Sequence, residues 1–429
     1  MILINFLTNK IRIVQYNNDE IKVNVSSETG RLRAVLLHRP GVEIERMTPQ
    51  NANSALCSDI LNKAVVDEEY ADFSGVLERW TKVYYVEDVL AKVLEDEGVK
   101  REIVTESCRL DGCGGLVQRL LGHEPRVLAK ELIEGVQNGD WDYEHGKDDD
   151  RYDLKPLYNL FFTRDASSTV YDRVLINSMS FDVRRRETLI YKAIFEKFFG
   201  VETLNAQEWS SHARTEGGDV QIARSNMLCI GTGIRTNKKG IEYLAHKMAE
   251  KHEQFAILVQ ELPHKPESFI HLDMVFTFLS QNECMMFEPM VKKSGVFTGM
   301  DTTIITIDNG NIKYNSCSNI LQGLKLTGWD MKPILCGGEE PWDQMREQWH
   351  SGANFFALGE GKVLGYRRNV HTMEALDRAG FAILKAEDIC SGKVKMEDYD
   401  KFVAAFKGSE LPRGGGGARC MTMPIMREG

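Results

Sequence analysis

The chain has 429 residues, 42% of them hydrophobic and 27% charged, with a formal net charge of −10. That length exceeds one ordinary core, so two packed units or one large repetitive α/β domain are expected. The acidic balance argues against a nucleic-acid or anionic-membrane partner, and no run approaches the roughly 18 apolar residues of a membrane span.

Residues 1–20 read as a short extra strand or tail, because their apolar start lacks the basic region and small-residue cleavage site of a secretion signal. From about residue 32, Arg-Ala-Val-Leu-Leu-His-Arg-Pro reads as a strand ended by Pro40 and Gly41. Between about 84 and 150 the texture turns helical. Val89, Leu90, Val93 and Leu94 recur at helical spacing, as do Leu128, Leu132, Ile133 and Val136. An acidic loop at 147–151 closes this block as a solvated connection.

After about residue 155 strands and helices alternate. Strands are expected at 174–179, 256–260, 274–278, 302–307 and 362–366, with a hairpin at 219–232. Helices are expected at 189–199, 239–252 and 371–379, followed by a last strand at 381–384. Strands followed by helices at short intervals indicate an α/β architecture. The nine cysteines are scattered without a Cys-x-x-Cys pair, which fits a reducing compartment. Cys108 and Cys113 lack a matching His/Cys pair and are not expected to hold zinc.

Four segments set polar groups among apolar ones. In Asn-Leu-Phe-Phe-Thr-Arg-Asp-Ala (159–166), Asp165 is either a turn aspartate or an acceptor for a cationic ligand. In Glu-Gly-Gly-Asp-Val (216–220), two glycines let the backbone turn sharply and aim both carboxylates, or the stretch is a plain acidic turn. In His-Leu-Asp-Met-Val-Phe (271–276), strand alternation would put His271 and Asp273 on one face, either as an acid–base beside a ligand-binding acid or as a core pair.

The fourth segment is the C-terminal one. Cys420 follows Gly414–Gly417 and Arg419 and precedes Met-Thr-Met-Pro-Ile. The arginines are expected to raise the local positive potential and favour a thiolate, and a frayed tail is the alternative. One thiol, one imidazole and several carboxylates together suit a cationic substrate with an electrophilic carbon. A guanidinium fits, because its planar fork of donors matches carboxylate geometry. Arg184, Arg185, Arg186 and Arg235 are candidates for its other end, or surface arginines.

These motifs, taken in order with Arg-Arg-Glu-Thr-Leu (185–189), Arg-Glu-Gln-Trp (346–349) and Gly-Ala-Asn-Phe-Phe (352–356), resemble the arginine deiminase family over roughly residues 30–429. The resemblance implies an α/β propeller of five ββαβ-type units, from residue 21 to 429, interrupted by a helical insertion at about 84–150. It implies Cys420 as nucleophile, His271 as general acid–base, Asp165 and Asp273 as the pair gripping the guanidinium, and Glu216 as support for the histidine. In that arrangement the two aspartates oppose the thiolate, so Cys420 is expected to be largely a thiol until the cationic substrate lowers its pKa. Asn159, Arg184 and Arg235 would hold the substrate carboxylate, with Arg186 as an alternative to Arg184. The implied reaction hydrolyses L-arginine to citrulline and ammonia with water as co-substrate and no cofactor, in a cytoplasmic homo-oligomer.

The chain departs from the family in three places. Gly415 stands where many members carry an arginine. Thr-Gly-Ile precedes Arg235 instead of the usual Ser-Glu, and segment 51–83 lacks the usual aromatic texture. Other guanidine-modifying enzymes, including an arginine dihydrolase releasing ornithine, an amidinotransferase and a methylarginine hydrolase, are the alternative chemistries. A cysteine protease and a non-catalytic arginine binder are the alternatives outside that group.

Overall fold

The computed structural model describes residues 21–142 and 151–428. The expectations for residues 1–20 and for most of the acidic loop lie outside the described residues. The chain folds into a mixed α/β structure with five sheets of three to five strands and one small two-stranded ribbon.

One pattern recurs in all five sheets. A central strand pairs antiparallel on one side and parallel on the other. The central strands are Arg31–Leu37, Arg173–Ile176, Met227–Thr232, Glu283–Met286 and Lys362–Tyr366. Their antiparallel partners are Met423–Glu428, Ser167–Val170, Val220–Arg224, Phe276–Phe278 and Phe356–Gly359. Their parallel partners are Lys82–Tyr85, Thr203–Leu204, Gln254–Glu261, Lys332–Leu335 and Phe402–Phe406. Parallel neighbours need a crossover, and helices supply it: Lys63–Trp80 before Lys82–Tyr85, and Lys238–Lys251 before Gln254–Glu261. The central strands are almost wholly apolar and buried, as strands covered on both faces must be.

The first sheet joins the two ends of the described chain, since Arg31–Leu37 pairs with Met423–Glu428. This anchors the residues just before Met423, Cys420 among them, to the core instead of leaving a frayed tail.

The stretch from 86 to 134 is helical, with helices Val86–Val93, Glu97–Asp111, Val117–Leu121 and Pro125–Glu134. Their apolar faces share one buried cluster with Ile190, Tyr191, Ile194 and Phe195 of the Arg185–Ala193 helix and its continuation. Three expectations need correction. Val136 does not extend the helix: the helix stops at Glu134 and Gly135, and Val136 pairs with Leu154 in the ribbon. Phe381–Leu384 does not give the last strand, because Phe402–Phe406 and Met423–Glu428 follow it. The stretch 271–275 is not a strand: Leu272–Met274 forms a 3-10 turn and the strand begins at Phe276. Among the described residues no helix is long and apolar enough to cross a membrane.

Candidate active site

The antiparallel partner strand of every sheet is entered through a tight turn, and those five turns meet. Arg164 N donates to Cys420 O at 3.0 Å, Gly217 N to Asp165 O at 3.0 Å, and Asp273 N to Gly218 O at 3.2 Å. The Asn354 side chain completes the circuit: Nδ2 donates to Asp273 O at 3.1 Å and Oδ1 accepts from Cys420 N at 3.3 Å. The turns are packed so closely that side chains are excluded in places. A Cβ on Gly218 would lie 2.4 Å from His271 Nδ1, and one on Gly417 would lie 2.6 Å from Asn354 Oδ1.

The turns deliver one thiol, one imidazole and three carboxylates to a single buried cluster. Cys420 Sγ lies 3.9 Å from Asp273 Oδ2 and accepts from Asn354 Nδ2 at 3.2 Å. His271 Nε2 lies 3.0 Å from Glu216 Oε2, and Nδ1 lies 3.7 Å from Asp165 Oδ1. Glu216 Oε2 also accepts from Arg235 Nη1 at 3.0 Å, and Oε1 accepts from Ser180 N at 3.1 Å. Asp165 Oδ2 accepts from Arg184 Nη1 at 2.6 Å, and Glu187 grips the other side of the same guanidinium.

A cavity of about 400 Å³ opens onto this cluster. Asn159, Asp165, Arg184, Arg235, His271 and Cys420 line it, and Trp349, His350 and Arg368 stand at other parts of its wall. Asp273 and Glu216 are buried behind that lining.

The electrostatics pull the titratable groups apart. Burial alone would raise Glu216, but Arg235 and His271 hold it down at about 2. Burial opposes a charge on His271, yet Asp165 and Glu216 push it up to about 9, so the ring is an imidazolium at neutral pH. Burial raises the Cys420 thiol well above its usual value, and the charges of Asp273 and Asp165 add to that rise. Burial likewise raises Asp273, against the pull of Arg419. The expectation of an electropositive loop favouring a thiolate is therefore corrected. Arg419 is fully buried and committed to Glu28 and Asp273, and Arg413 is committed to Asp59 and Glu410.

The chemistry available is that of a nucleophile and a charged acid beside a carboxylate pair. Asp165 Oδ1 and Asp273 Oδ1 are buried and accept no hydrogen bond among the described residues. Leaving buried carboxylate oxygens without donors is costly, which makes this pair a natural seat for a donor-rich cation.

A family model for arginine deiminase matches residues 54–427. The chain belongs to the arginine deiminase family. The arginine deiminase of Limosilactobacillus reuteri is 30% identical over 426 residues, covering 95% of this chain and 98% of that protein. The arginine deiminase of Levilactobacillus brevis is likewise 30% identical, with 95% and 98% covered. Among solved structures, the product-bound N-terminal domain of ArgZ, an arginine dihydrolase from the ornithine-ammonia cycle in cyanobacteria, aligns with a TM-score of 0.52 at 14% identity. That alignment covers 92% of this chain and 98% of the other. At such identity the likeness concerns the fold alone, a mixed α/β arrangement.

Within this member of the arginine deiminase family, all eight residues singled out from sequence fall in or directly behind one cavity. Of the arginines offered as alternatives, Arg186 points away into the helical block, toward Asp111, Leu132 O and Lys155 O, so Arg184 is the one that lines the cavity. Arg185 pairs with Asp182 at the surface. Sequence reasoning passed over Asn354, although it lies inside the quoted Gly-Ala-Asn-Phe-Phe. It also missed Glu28 and Glu187, whose partners Arg419 and Arg184 are 391 and 3 residues away. The recurring turn-then-strand pattern was the signal that would have found Asn354. Glu28 left none, because its partner is at the opposite end of the chain.

Proposed function

We propose that this protein acts as an arginine deiminase, as its relatives of that name do, hydrolysing the guanidinium of L-arginine to give L-citrulline and ammonia. The observation that carries the reading is the pair of donor-less buried carboxylate oxygens on Asp165 and Asp273, set beside the Cys420 thiol and the His271 imidazolium. A guanidinium placed there satisfies both oxygens and presents its carbon to sulfur.

In this reading the incoming cation offsets the carboxylates, so Cys420 ionises as substrate binds and gives its proton to solvent, since His271 is already protonated. Its sulfur forms a bond to the guanidinium carbon. A C–N bond breaks, and ammonia leaves with the proton from His271, giving an amidino-thioether. The now neutral His271 takes a proton from water as that water attacks the same carbon. The C–S bond then breaks and citrulline departs. Glu216 keeps the imidazole oriented and charged before the first step. Asn159, Arg184 and Arg235 take the α-carboxylate, a role supported by their places on the cavity wall.

The same reading covers the architecture and setting. The five sheets with one shared pattern, joined through their turns, support a five-bladed propeller over residues 21–429, with a helical insertion at about 84–150. Nine unpaired cysteines support a cytoplasmic location. A homo-oligomer follows from the family resemblance.

The test is product analysis on the purified protein with L-arginine. Equal amounts of citrulline and ammonia are expected, with an amidino adduct on the Cys420 peptide after acid quench. Ornithine with two ammonia per arginine would instead assign the dihydrolase chemistry of the ArgZ domain. No turnover with arginine would sink the reading.

The pH profile carries a second expectation. The proton that ammonia needs sits on His271 below about 9 and is lost above it. At saturating arginine, where Cys420 is already ionised, kcat for citrulline formation should therefore fall as pH rises through about 9. Initial rates followed into strongly alkaline buffer check this, and a profile still climbing there contradicts the assigned role of His271.

A further inference from the structure

Four of the five turns that meet at the cavity carry a group already given a role: Cys420, Asp165, Glu216, and the pair His271 and Asp273. The fifth turn, leading into Phe356–Gly359, carries Asn354, which is buried and fully engaged. Its Oδ1 accepts from Arg419 N at 2.9 Å and from Cys420 N at 3.3 Å. Its Nδ2 donates to Asp273 O at 3.1 Å and to Cys420 Sγ at 3.2 Å. Donors surround the oxygen and acceptors surround the nitrogen, so the orientation of the carboxamide is dictated by its partners.

We propose that Asn354 is the positioning residue of the nucleophile: its carboxamide fixes the Cys420 turn against the Asp273 turn and directs an N–H at the sulfur, favouring the thiolate that attacks. The inference rests on the reading of Cys420 as the nucleophile and adds to it the group that makes ionisation attainable. Burial and two neighbouring carboxylates oppose a charge on sulfur, and Arg419, whose charge eases it, is shared with Glu28 and Asp273. Among the described residues, Asn354 supplies the side-chain donor in contact with Sγ. A hydrogen bond to the charged form lowers a thiol's pKa, and one made to an ion is about twice as strong as a neutral one.

The geometry also explains why the donor must be an amide. An aliphatic side chain offers no N–H. A carboxylate could accept from the two backbone N–H groups but would turn a second oxygen toward the sulfur. The close packing of Gly417 against Asn354 Oδ1 fixes the turn from the other side.

The experiment compares wild type, Asn354→Ala and Asn354→Asp. Alkylation of Cys420 by iodoacetamide is followed across pH in the peptide that bears it, since eight other cysteines would obscure a bulk measurement. Both variants are expected to raise the apparent pKa of Cys420 by about one unit or more. Both should also lower kcat for citrulline roughly 10–100-fold while KM changes little, the size expected for losing one hydrogen bond to a charged group. The aspartate should be the more severe, because it adds repulsion.

A folded variant whose Cys420 titrates as in wild type overturns the inference, as does failure of both variants to fold, which would assign Asn354 a purely architectural role. The two readings fail separately. A wild-type protein that forms no adduct on Cys420 brings down the nucleophile assignment. A wild type that forms it, beside a variant with an unaltered thiol, brings down only the role of Asn354.

Discussion

Replacing Cys420 with alanine is expected to lower kcat for citrulline formation by about 10⁴-fold or more, with arginine still bound. The guanidinium carbon is shielded by resonance, so the reaction depends on a nucleophile stronger than water, and among the described residues the cavity wall offers no second one paired with an imidazole. The one other cysteine on its wall is Cys57. Burial pushes that thiol up to about 12, its sulfur contacts Asn159 Oδ1 and Ala55 O, and no imidazole is among its partners. Asp165, Asp273, Arg184 and Arg235 all remain in the variant, so binding of the cation and of the carboxylate should persist. Isothermal titration with arginine, run beside a citrulline assay, separates the two effects. Retention of more than about one per cent of wild-type turnover would mean that water attacks directly and that Cys420 serves another purpose.

The site was more legible in the sequence than the architecture that builds it. Short motifs such as Phe-Thr-Arg-Asp and Glu-Gly-Gly-Asp-Val hold their polar groups within a few residues, so local reading singled out groups that the fold brings to one cavity. His271 and Asp273 were found for the wrong local reason. They share the site through a 3-10 turn that ends in a hydrogen bond to Gly218 O, not through the alternation of a strand. Long-range pairing was not legible. Nothing near Met423 announces that it pairs with Leu36, and that pairing turns an apparent tail into a buried turn. The same blindness misled the reading of the loop around Cys420 as electropositive, while the opposition of Asp165 and Asp273 to a thiolate was foreseen. Arg413 and Arg419 look like an electropositive setting until Asp59, Glu28 and Asp273 arrive from distant parts of the chain to neutralise them. Strand Phe402–Phe406 went unseen because it is uniformly apolar, with no alternation to mark it.

Replacing Arg419 with leucine is expected to give the largest loss of stability of any single change near the site. The side chain is fully buried, with Nε and Nη2 on the two oxygens of Glu28 at 3.1 and 3.0 Å and Nη1 on Asp273 Oδ2 at 2.9 Å. Leucine fills part of the space but leaves two buried carboxylates without their main partner. Removing one side of a buried ion pair costs about 3–5 kcal/mol. Arg164 and Arg427 also attract Glu28, which places the expected loss near about 3 kcal/mol. The pH dependence should change sign as well. In the wild type, burial would raise Glu28, but Arg419 and Arg164 hold it at about 2, below its unfolded value. Its contribution to stability is therefore present above the unfolded carboxylate range and lost as pH falls toward 2. In the variant, burial dominates, lifting Glu28 above its unfolded value and Asp273, already raised in the wild type, further still. Their ionisation then opposes folding, and stability is lost as pH rises through the raised values. Thermal midpoints of wild type and variant, measured between about pH 5 and 8, should therefore converge on acidification. Parallel midpoints across that range would show that the two carboxylates find other partners when Arg419 is gone, and that this arginine does not hold the Cys420 turn in place.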